Sequence, residues 1–232
     1  MKRMVMSIAV AVFLPFCCIP MSFSDPLDSV PAWYFQLSGR TQGAMKIQFK
    51  DATLTGTGAT KAGGVMVITG SYSFVKADTF SGVYTAQSDF NFEEGTFQGK
   101  LSKKGDQVTV NMLSDVGNKY KAKGTLSPAN IMISGEFNII LRGRDRGSFN
   151  IQSGDSGVPD IFYLSGTGET IYNGSTELEI HGFCDGKGTM YGSWSADGES
   201  SLVLGTFSGK FKNGKLSAKA VSIDGDAFTI RN

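Results

Sequence analysis

The sequence has few of the residues that crosslink a fold, bind metals or interrupt strands. It contains one histidine, three cysteines and six prolines among 232 residues. Cys17 and Cys18 lie in an apolar leader, so a chain without this leader keeps only Cys184 and can form no intramolecular disulfide. We therefore expect the fold to be held together by a hydrophobic core.

The sequence also lacks an apolar run of the roughly 18 residues that a membrane-spanning helix requires. Its most apolar stretch, residues 6–19, follows the basic pair Lys2 and Arg3 and ends shortly before Ser22 and Ser24. The two serines occupy the −3 and −1 positions of a small-x-small cleavage site. This arrangement predicts a cleaved signal peptide over residues 1–24 and export to the periplasm, the cell surface or the medium.

The cysteines of the leader raise the alternative of a lipid anchor, in which a modified cysteine becomes the first residue of the mature chain. Such signals carry a small residue before the cysteine, whereas Phe16 precedes Cys17 and Cys17 precedes Cys18. The sequence favours cleavage before Asp25 and leaves lipidation at Cys17 or Cys18 open.

An excess of charge of either sign is missing as well. The 22 basic and 21 acidic residues nearly balance, which gives no indication of a nucleic acid or an anionic lipid as partner. The sequence contains no nucleophile elbow, phosphate loop, dinucleotide fingerprint or paired-cysteine metal motif. We therefore expect a protein that is not an enzyme and that has neither a cofactor nor a metal.

Glycine is abundant, with 30 residues placed around short segments that alternate between apolar and polar side chains. Residues 44–50, 108–112 and 177–181 show this alternation, which is typical of half-buried strands. Turn signals of the hairpin kind lie between such segments, for example Asn213-Gly214. The pattern predicts an all-β fold, an antiparallel meander of about 14–16 short strands.

Three blocks of sequence occur twice, in the same order. The pattern Gly-Arg-x-x-Gly-x-x-x-Ile-Gln-x-x-Asp occupies residues 39–51 and 143–155. Leu-x-Gly-Thr-Gly-x-Thr occupies residues 54–60 and 164–170, and Gly-Thr-Phe-x-Gly-Lys occupies residues 95–100 and 205–210. Such agreement in order and spacing indicates an internal duplication. The second copy has an insertion that includes Pro159.

After the predicted signal peptide over residues 1–24, the duplication predicts a first β unit over 25–128 and a second over 129–232. Because only a turn separates the copies, we expect them to pack as one compact domain, a β-barrel or a β-sandwich with pseudo-twofold symmetry. Whether the two units share one sheet stays open. Shared residues such as Phe97 and Phe207, or Tyr84 and Trp194, are expected in the core.

Residues present in only one copy are the better candidates for a binding site. Glu177, Glu179 and His181 lie at alternate positions of one segment, where they form a polar face or a partial metal site. Their alternation with Leu178 and Ile180 favours the polar face.

A second candidate is the basic series Arg142, Arg144 and Arg146, which could receive a phosphate, a sulfate or a carboxylate. The ordinary alternative is a solvated strand face. Cys184 stands three residues after His181 and therefore on the opposite face of a strand, which predicts a buried, unreactive thiol.

Three classes of function fit these observations. The leading expectation is an exported, non-enzymatic β protein of the bacterial envelope or secreted space, with a binding or structural role and a glycan or another envelope protein as its candidate partner. An outer-membrane β-barrel is an alternative, although many segments are shorter than the 9 to 11 residues that such strands need. The other alternative is a polysaccharide-acting enzyme that uses Glu177 and Glu179.

Overall fold

A computed structural model describes residues 25–126, 131–196 and 203–232. The predicted signal peptide, with Cys17 and Cys18, and the predicted boundary after residue 128 lie outside these ranges. The described chain forms sixteen strands. They are β1 (Trp33–Gly39), β2 (Gly43–Lys50), β3 (Thr53–Thr60), β4 (Gly64–Lys76), β5 (Thr79–Ser88), β6 (Phe92–Leu101), β7 (Gln107–Ser114), β8 (Lys119–Thr125), β9 (Glu136–Arg142), β10 (Arg146–Asp155), β11 (Phe162–Thr170), β12 (Gly174–Cys184), β13 (Thr189–Ser195), β14 (Gly205–Lys212), β15 (Lys215–Ser222) and β16 (Ala227–Arg231).

The strands form two closed antiparallel barrels of eight strands each, in consecutive order. Strands β1 to β8 make barrel 1, which closes where β1 pairs with β8. Strands β9 to β16 make barrel 2, which closes where β16 pairs with β9. The predicted all-β meander is confirmed, and between barrel and sandwich the structure shows barrels. Each copy closes on itself, so the two do not share a sheet.

The alternation in the sequence places apolar side chains inside each barrel. Along β9, Phe137, Ile139 and Leu141 are buried while the residues between them are exposed. Each barrel consequently encloses its own hydrophobic core. Along β8, the lysines at positions 119, 121 and 123 face outward in the same way.

Glycines of the duplicated blocks allow neighbouring strands to approach closely. A Cβ atom on Gly166 would lie 1.9 Å from the carbonyl oxygen of Asn150 on the paired strand β10. At the predicted turn Asn213-Gly214, both residues have positive φ angles, 54° and 72°, as a two-residue hairpin of type I′ requires.

One end of each barrel is closed by the chain segment that precedes its first strand. In barrel 1 this is segment 25–32, whose Leu27 is fully buried in the core. The Asp25 carboxylate accepts a hydrogen bond from the Leu27 backbone N–H at 2.8 Å and another from the Tyr72 hydroxyl. In barrel 2 the equivalent segment, 131–135, places Ile133 in the core.

The insertion around Pro159 lies at the junction between the barrels. The Asp160 carboxylate forms an ion pair with Lys46 of barrel 1, and the carbonyl oxygen of Pro159 accepts a hydrogen bond from the Thr57 hydroxyl at 3.2 Å. Ile161 is buried between the barrels, in a cluster with Ala44, Ala59, Phe183 and Tyr191. The insertion therefore fixes one barrel against the other.

A second polar contact crosses the junction at the β3–β4 turn. The backbone N–H of Val65 donates to the Ser193 hydroxyl at 3.1 Å, and Ser193 is almost fully buried. No helix in the described part of the chain is both long and apolar enough to span a membrane.

Candidate functional site

The end of each barrel opposite the closing segment opens into a cavity. Cavity 1, in barrel 1, has a volume of about 470 Å³, and cavity 2, in barrel 2, about 650 Å³. The wall of cavity 1 is apolar and includes Leu37, Met45, Met66, Ile68 and Met112. The wall of cavity 2 includes Leu141, Trp194, Ala196, Leu204 and Phe228.

The two cavities occupy the same place in the two copies. Arg40 and Arg144 fall on the same position of the first duplicated block, and each lines its cavity at the turn between the first two strands of its barrel. Thr60 and Thr170, from the second block, do the same. The duplication therefore produced two cavities as well as two barrels.

Cavity 1 contains a carboxylate held by two phenols. The Tyr84 hydroxyl donates to Oε1 of Glu93 at 2.8 Å, and the Tyr120 hydroxyl donates to Oε2 at 2.7 Å. Burial, together with the hydrogen bond to Glu93, raises the pKa of Tyr120 to about 12 and moves the pKa of Tyr84 upward as well. Both phenols stay protonated, and both oxygens of the carboxylate have a donor.

Cavity 2 has apolar residues where cavity 1 has this polar group. Trp194 pairs with Gly205 as Tyr84 pairs with Gly95, so Val203 is aligned with Glu93, and the neighbouring Leu204 is the residue that lines cavity 2. Counting along the paired strands in the same way places Phe228 at the position of Tyr120. The rings of Trp194 and Phe228 meet edge to face with centroids 5.2 Å apart. The two cavities thus share a position and differ in chemistry.

One carboxylate of cavity 2, that of Asp145, comes from the β9–β10 turn. Asp145 is 9 % exposed, and its Oδ1 accepts hydrogen bonds from the backbone N–H groups of Arg146 at 2.7 Å and Tyr172 at 3.2 Å. Burial opposes its charge, but these hydrogen bonds and the neighbouring Thr170 hydroxyl outweigh burial and hold the pKa of Asp145 below its usual range. Its Oδ2 has no hydrogen-bond partner among the described residues.

The three predicted arginines do not form a series on one strand. Arg142 ends β9 and Arg146 begins β10, where the two are directly paired, while Arg144 lies in the turn between them. Arg144 lines cavity 2 and forms an ion pair with Asp226 at 2.7 Å. Arg142 and Arg146 are exposed and line a shallow groove on the outside of barrel 2.

Glu177, Glu179 and His181 lie on the outer face of β12, away from both cavities. Glu179 accepts a hydrogen bond from the Tyr163 hydroxyl at 3.0 Å, and the His181 ring packs edge-on against Tyr163 with centroids 4.6 Å apart. Burial of His181 lowers its pKa, against the opposing field of Glu179 and of Asp89 in barrel 1. The described residues contain no group of three metal-ligating side chains close enough to hold an ion.

Cys184 is buried in the core of barrel 2, and burial raises its pKa to about 12, as expected of an unreactive thiol. Tyr84 and Trp194 are both buried, which confirms the prediction of core positions, but each also lines a cavity.

Glu93, Tyr120, Asp145 and Phe228 are not among the site residues predicted from the sequence. A signal for them exists in the duplication: positions that are equivalent between the copies but differ in chemistry. Selecting residues that only one copy contains misses such positions, because both copies have a residue there.

Comparisons of the chain with protein-family models, with curated proteins and with solved structures find no match. The architecture therefore defines the class: two tandem closed barrels, each of eight antiparallel strands and each with a cavity at one end.

Proposed function

We propose that this chain is an exported, non-enzymatic binding protein that takes a small amphipathic molecule into the open end of each barrel. The observation that carries the proposal is the presence of two cavities at equivalent places in the two copies. Eight-stranded barrels are of a size that holds one small ligand, and both volumes fall within the range of small-molecule sites.

The linings support a ligand with one apolar and one polar part. Each cavity is lined by apolar side chains together with polar and charged ones, among them Glu93 in cavity 1 and Asp145 in cavity 2. Ligand sites commonly combine an apolar wall, which contributes affinity, with few polar groups, which orient the ligand.

The outer face of β8 supports a barrel 1 that is surrounded by water. Lys119, Lys121 and Lys123 alternate outward along β8, whereas the strands of a membrane-spanning barrel present apolar residues outward. Binding is favoured over catalysis on a glycan because Glu177, Glu179 and the single histidine lie on an outer face and not in a cavity.

Two matched variants test the proposal. Ala86 and Ala196 occupy equivalent positions, and each lines its own cavity. We expect the wild-type protein to bind octyl-chain probes, which differ only in head group, by titration calorimetry. Ala86→Phe should abolish binding in barrel 1 and leave barrel 2 unchanged, and Ala196→Phe should do the reverse.

Circular dichroism and thermal unfolding establish that each variant is folded, and Ala86→Leu and Ala196→Leu serve as milder fillers. Absence of binding of every probe to the wild-type protein would contradict the proposal. Binding that neither Ala86→Phe nor Ala196→Phe changes would also contradict the proposal, because the ligand would then lie on the outer surface.

A further inference from the structure

Cavity 2 contains a buried charge that the fold does not require. Oδ1 of Asp145 accepts hydrogen bonds from backbone N–H groups at the β9–β10 and β11–β12 turns. Its second oxygen, Oδ2, is buried and accepts no hydrogen bond from the described residues. A buried carboxylate oxygen without a donor is unfavourable by about 1–3 kcal/mol, so its presence calls for a reason.

Barrel 1 shows that the turns can be held without a carboxylate. Thr41 occupies the position of Asp145 in the first copy, and its hydroxyl accepts a hydrogen bond from the Ala62 backbone N–H at 3.2 Å. This bond is equivalent to the one from Tyr172 to Asp145. A single oxygen therefore suffices for the structure. The second oxygen and the negative charge are additions specific to cavity 2.

A second unsatisfied polar atom borders the same cavity. Nε1 of Trp194 is buried and has no hydrogen-bond partner in the described part of the chain, whereas the equivalent Tyr84 donates to Glu93. Nε1 of Trp33 in the core of barrel 1 shares this state, but Trp33 lines neither cavity. Cavity 2 thus combines an unpartnered acceptor at its turn with an aromatic wall made by Trp194 and Phe228.

The remaining charges at cavity 2 leave it negative. Asp224 and Asp226 line it together with Asp145, and among the described residues of the lining Arg144 is the single basic one. Arg144 is already paired with Asp226 at 2.7 Å. Cavity 1 is balanced by contrast, with Glu93 and Arg40 in its lining. An anion would meet repulsion in cavity 2, and a cation would be attracted by the excess of carboxylates in its lining.

The geometry points to a small amphipathic cation as the ligand of cavity 2, with its ammonium group beside the Asp145 carboxylate and its apolar part against Trp194 and Phe228. This inference rests on the proposed binding function. An ammonium donor satisfies the carboxylate, and indole and phenyl rings suit both an alkyl chain and a nearby positive charge.

Octylammonium, octanol and octanoate form the probe set, because they share one chain and differ in charge. We expect the wild-type protein to bind octylammonium about tenfold more tightly than octanol, and to bind octanoate more weakly than either. Asp145→Thr introduces the residue of the first copy and keeps the turn hydrogen bond. It should lower the affinity for octylammonium about tenfold and change the affinity for octanol by less than about twofold.

Glu177→Gln is the control, because it removes a carboxylate from the outer face of β12, away from both cavities. Asp145→Asn is a second variant that keeps the size of the side chain. Glu177→Gln should leave the charge preference intact. Equal binding of octylammonium and octanol would overturn the inference while leaving the proposed function in place. A preference lost in Glu177→Gln and kept in both Asp145 variants would also overturn it. Failure of all three probes to bind would instead contradict the proposed function.

Discussion

At the scale of single residues, the two copies show how a shared position can change its chemistry. Tyr84, Glu93 and Tyr120 form a hydrogen-bonded group in which each carboxylate oxygen has a phenol donor. In the second copy, Trp194, Val203 and Phe228 fill the same positions with almost no polar atoms. In cavity 2 a carboxylate stands at a different position, Asp145 in the β9–β10 turn. The barrels are therefore similar as scaffolds and different as sites.

The phenols of cavity 1 predict a loss of stability in alkali. An unfolded tyrosine loses its proton near pH 10, whereas Tyr120 keeps it until about pH 12 and Tyr84 holds it above the ordinary value too. Between these pH values the folded state binds more protons than the unfolded state. The contribution of the two phenols to the unfolding free energy is therefore fully present below about pH 10 and is lost as the pH rises toward about 12.

Urea unfolding at several pH values from about 8 to about 11 tests this expectation. Tyr120→Phe removes one titrating group and should flatten the decline of the unfolding free energy above about pH 10. At neutral pH the same variant should lose about 1 kcal/mol, the usual net value of one hydrogen bond. Identical pH profiles for the wild type and the variant would show that Tyr120 ionises alike in both states.

At the scale of elements, the strands were predictable and their closure was not. Alternation such as that of residues 108–112 identifies a half-buried strand, and β7 contains that segment. The same alternation is equally compatible with a β-sandwich, because it requires only that one face of the strand is buried. Closure depends on the tilt and register of all eight strands together, which no local pattern records.

The candidate site was predictable only in part, for the same reason. Arg144 was named, and it lines cavity 2, but it was expected on one strand with Arg142 and Arg146. The turn at Asp145 reverses the chain between them, and the period of an extended strand does not apply through a turn. Whether a turn carboxylate faces water or a cavity depends on how the surrounding turns pack, which the sequence pattern does not contain.

The segment that closes barrel 1 should matter as much as a strand. Leu27 lies outside every strand, yet it is fully buried in the core. Leu27→Ala removes buried methyl groups and leaves a cavity, so we expect a loss of about 3 kcal/mol in unfolding free energy. Val116→Ala, at a loop position 73 % exposed, is the control and should change the unfolding free energy by less than about 0.5 kcal/mol. A loss below about 1 kcal/mol for Leu27→Ala would mean that the segment does not close the barrel in solution.

At the scale of the whole molecule, the insertion that only the second copy contains stabilises the junction between the barrels. The Pro159 insertion brings Asp160 to Lys46 and Ile161 into the apolar cluster between the barrels. The β3–β4 turn adds the contact of Val65 with Ser193. Without the insertion, barrel 1 would lack Asp160 and Ile161 as partners.

The β3–β4 turn and its equivalent in barrel 2 provide a matched test of this junction. Gly64 and Gly174 occupy the same position and have nearly the same positive φ, 66° and 71°. A Cβ atom on Gly64 would lie 2.0 Å from the Ser193 hydroxyl oxygen, whereas a Cβ atom on Gly174 would have nothing within 4 Å. Backbone strain is thus common to both alanine variants, and the clash with the other barrel is present in one.

We expect Gly174→Ala to lower the unfolding free energy by about 1 kcal/mol, the strain of a left-handed residue that has a Cβ atom. Gly64→Ala should cost at least about 1 kcal/mol more, because the added atom forces the barrels apart or displaces Ser193. In a Ser193→Gly background this additional cost should fall, since the group that the new Cβ atom meets is gone, and a double-mutant cycle measures the difference. Equal costs for the two alanine variants would mean that the barrels do not hold this contact in solution.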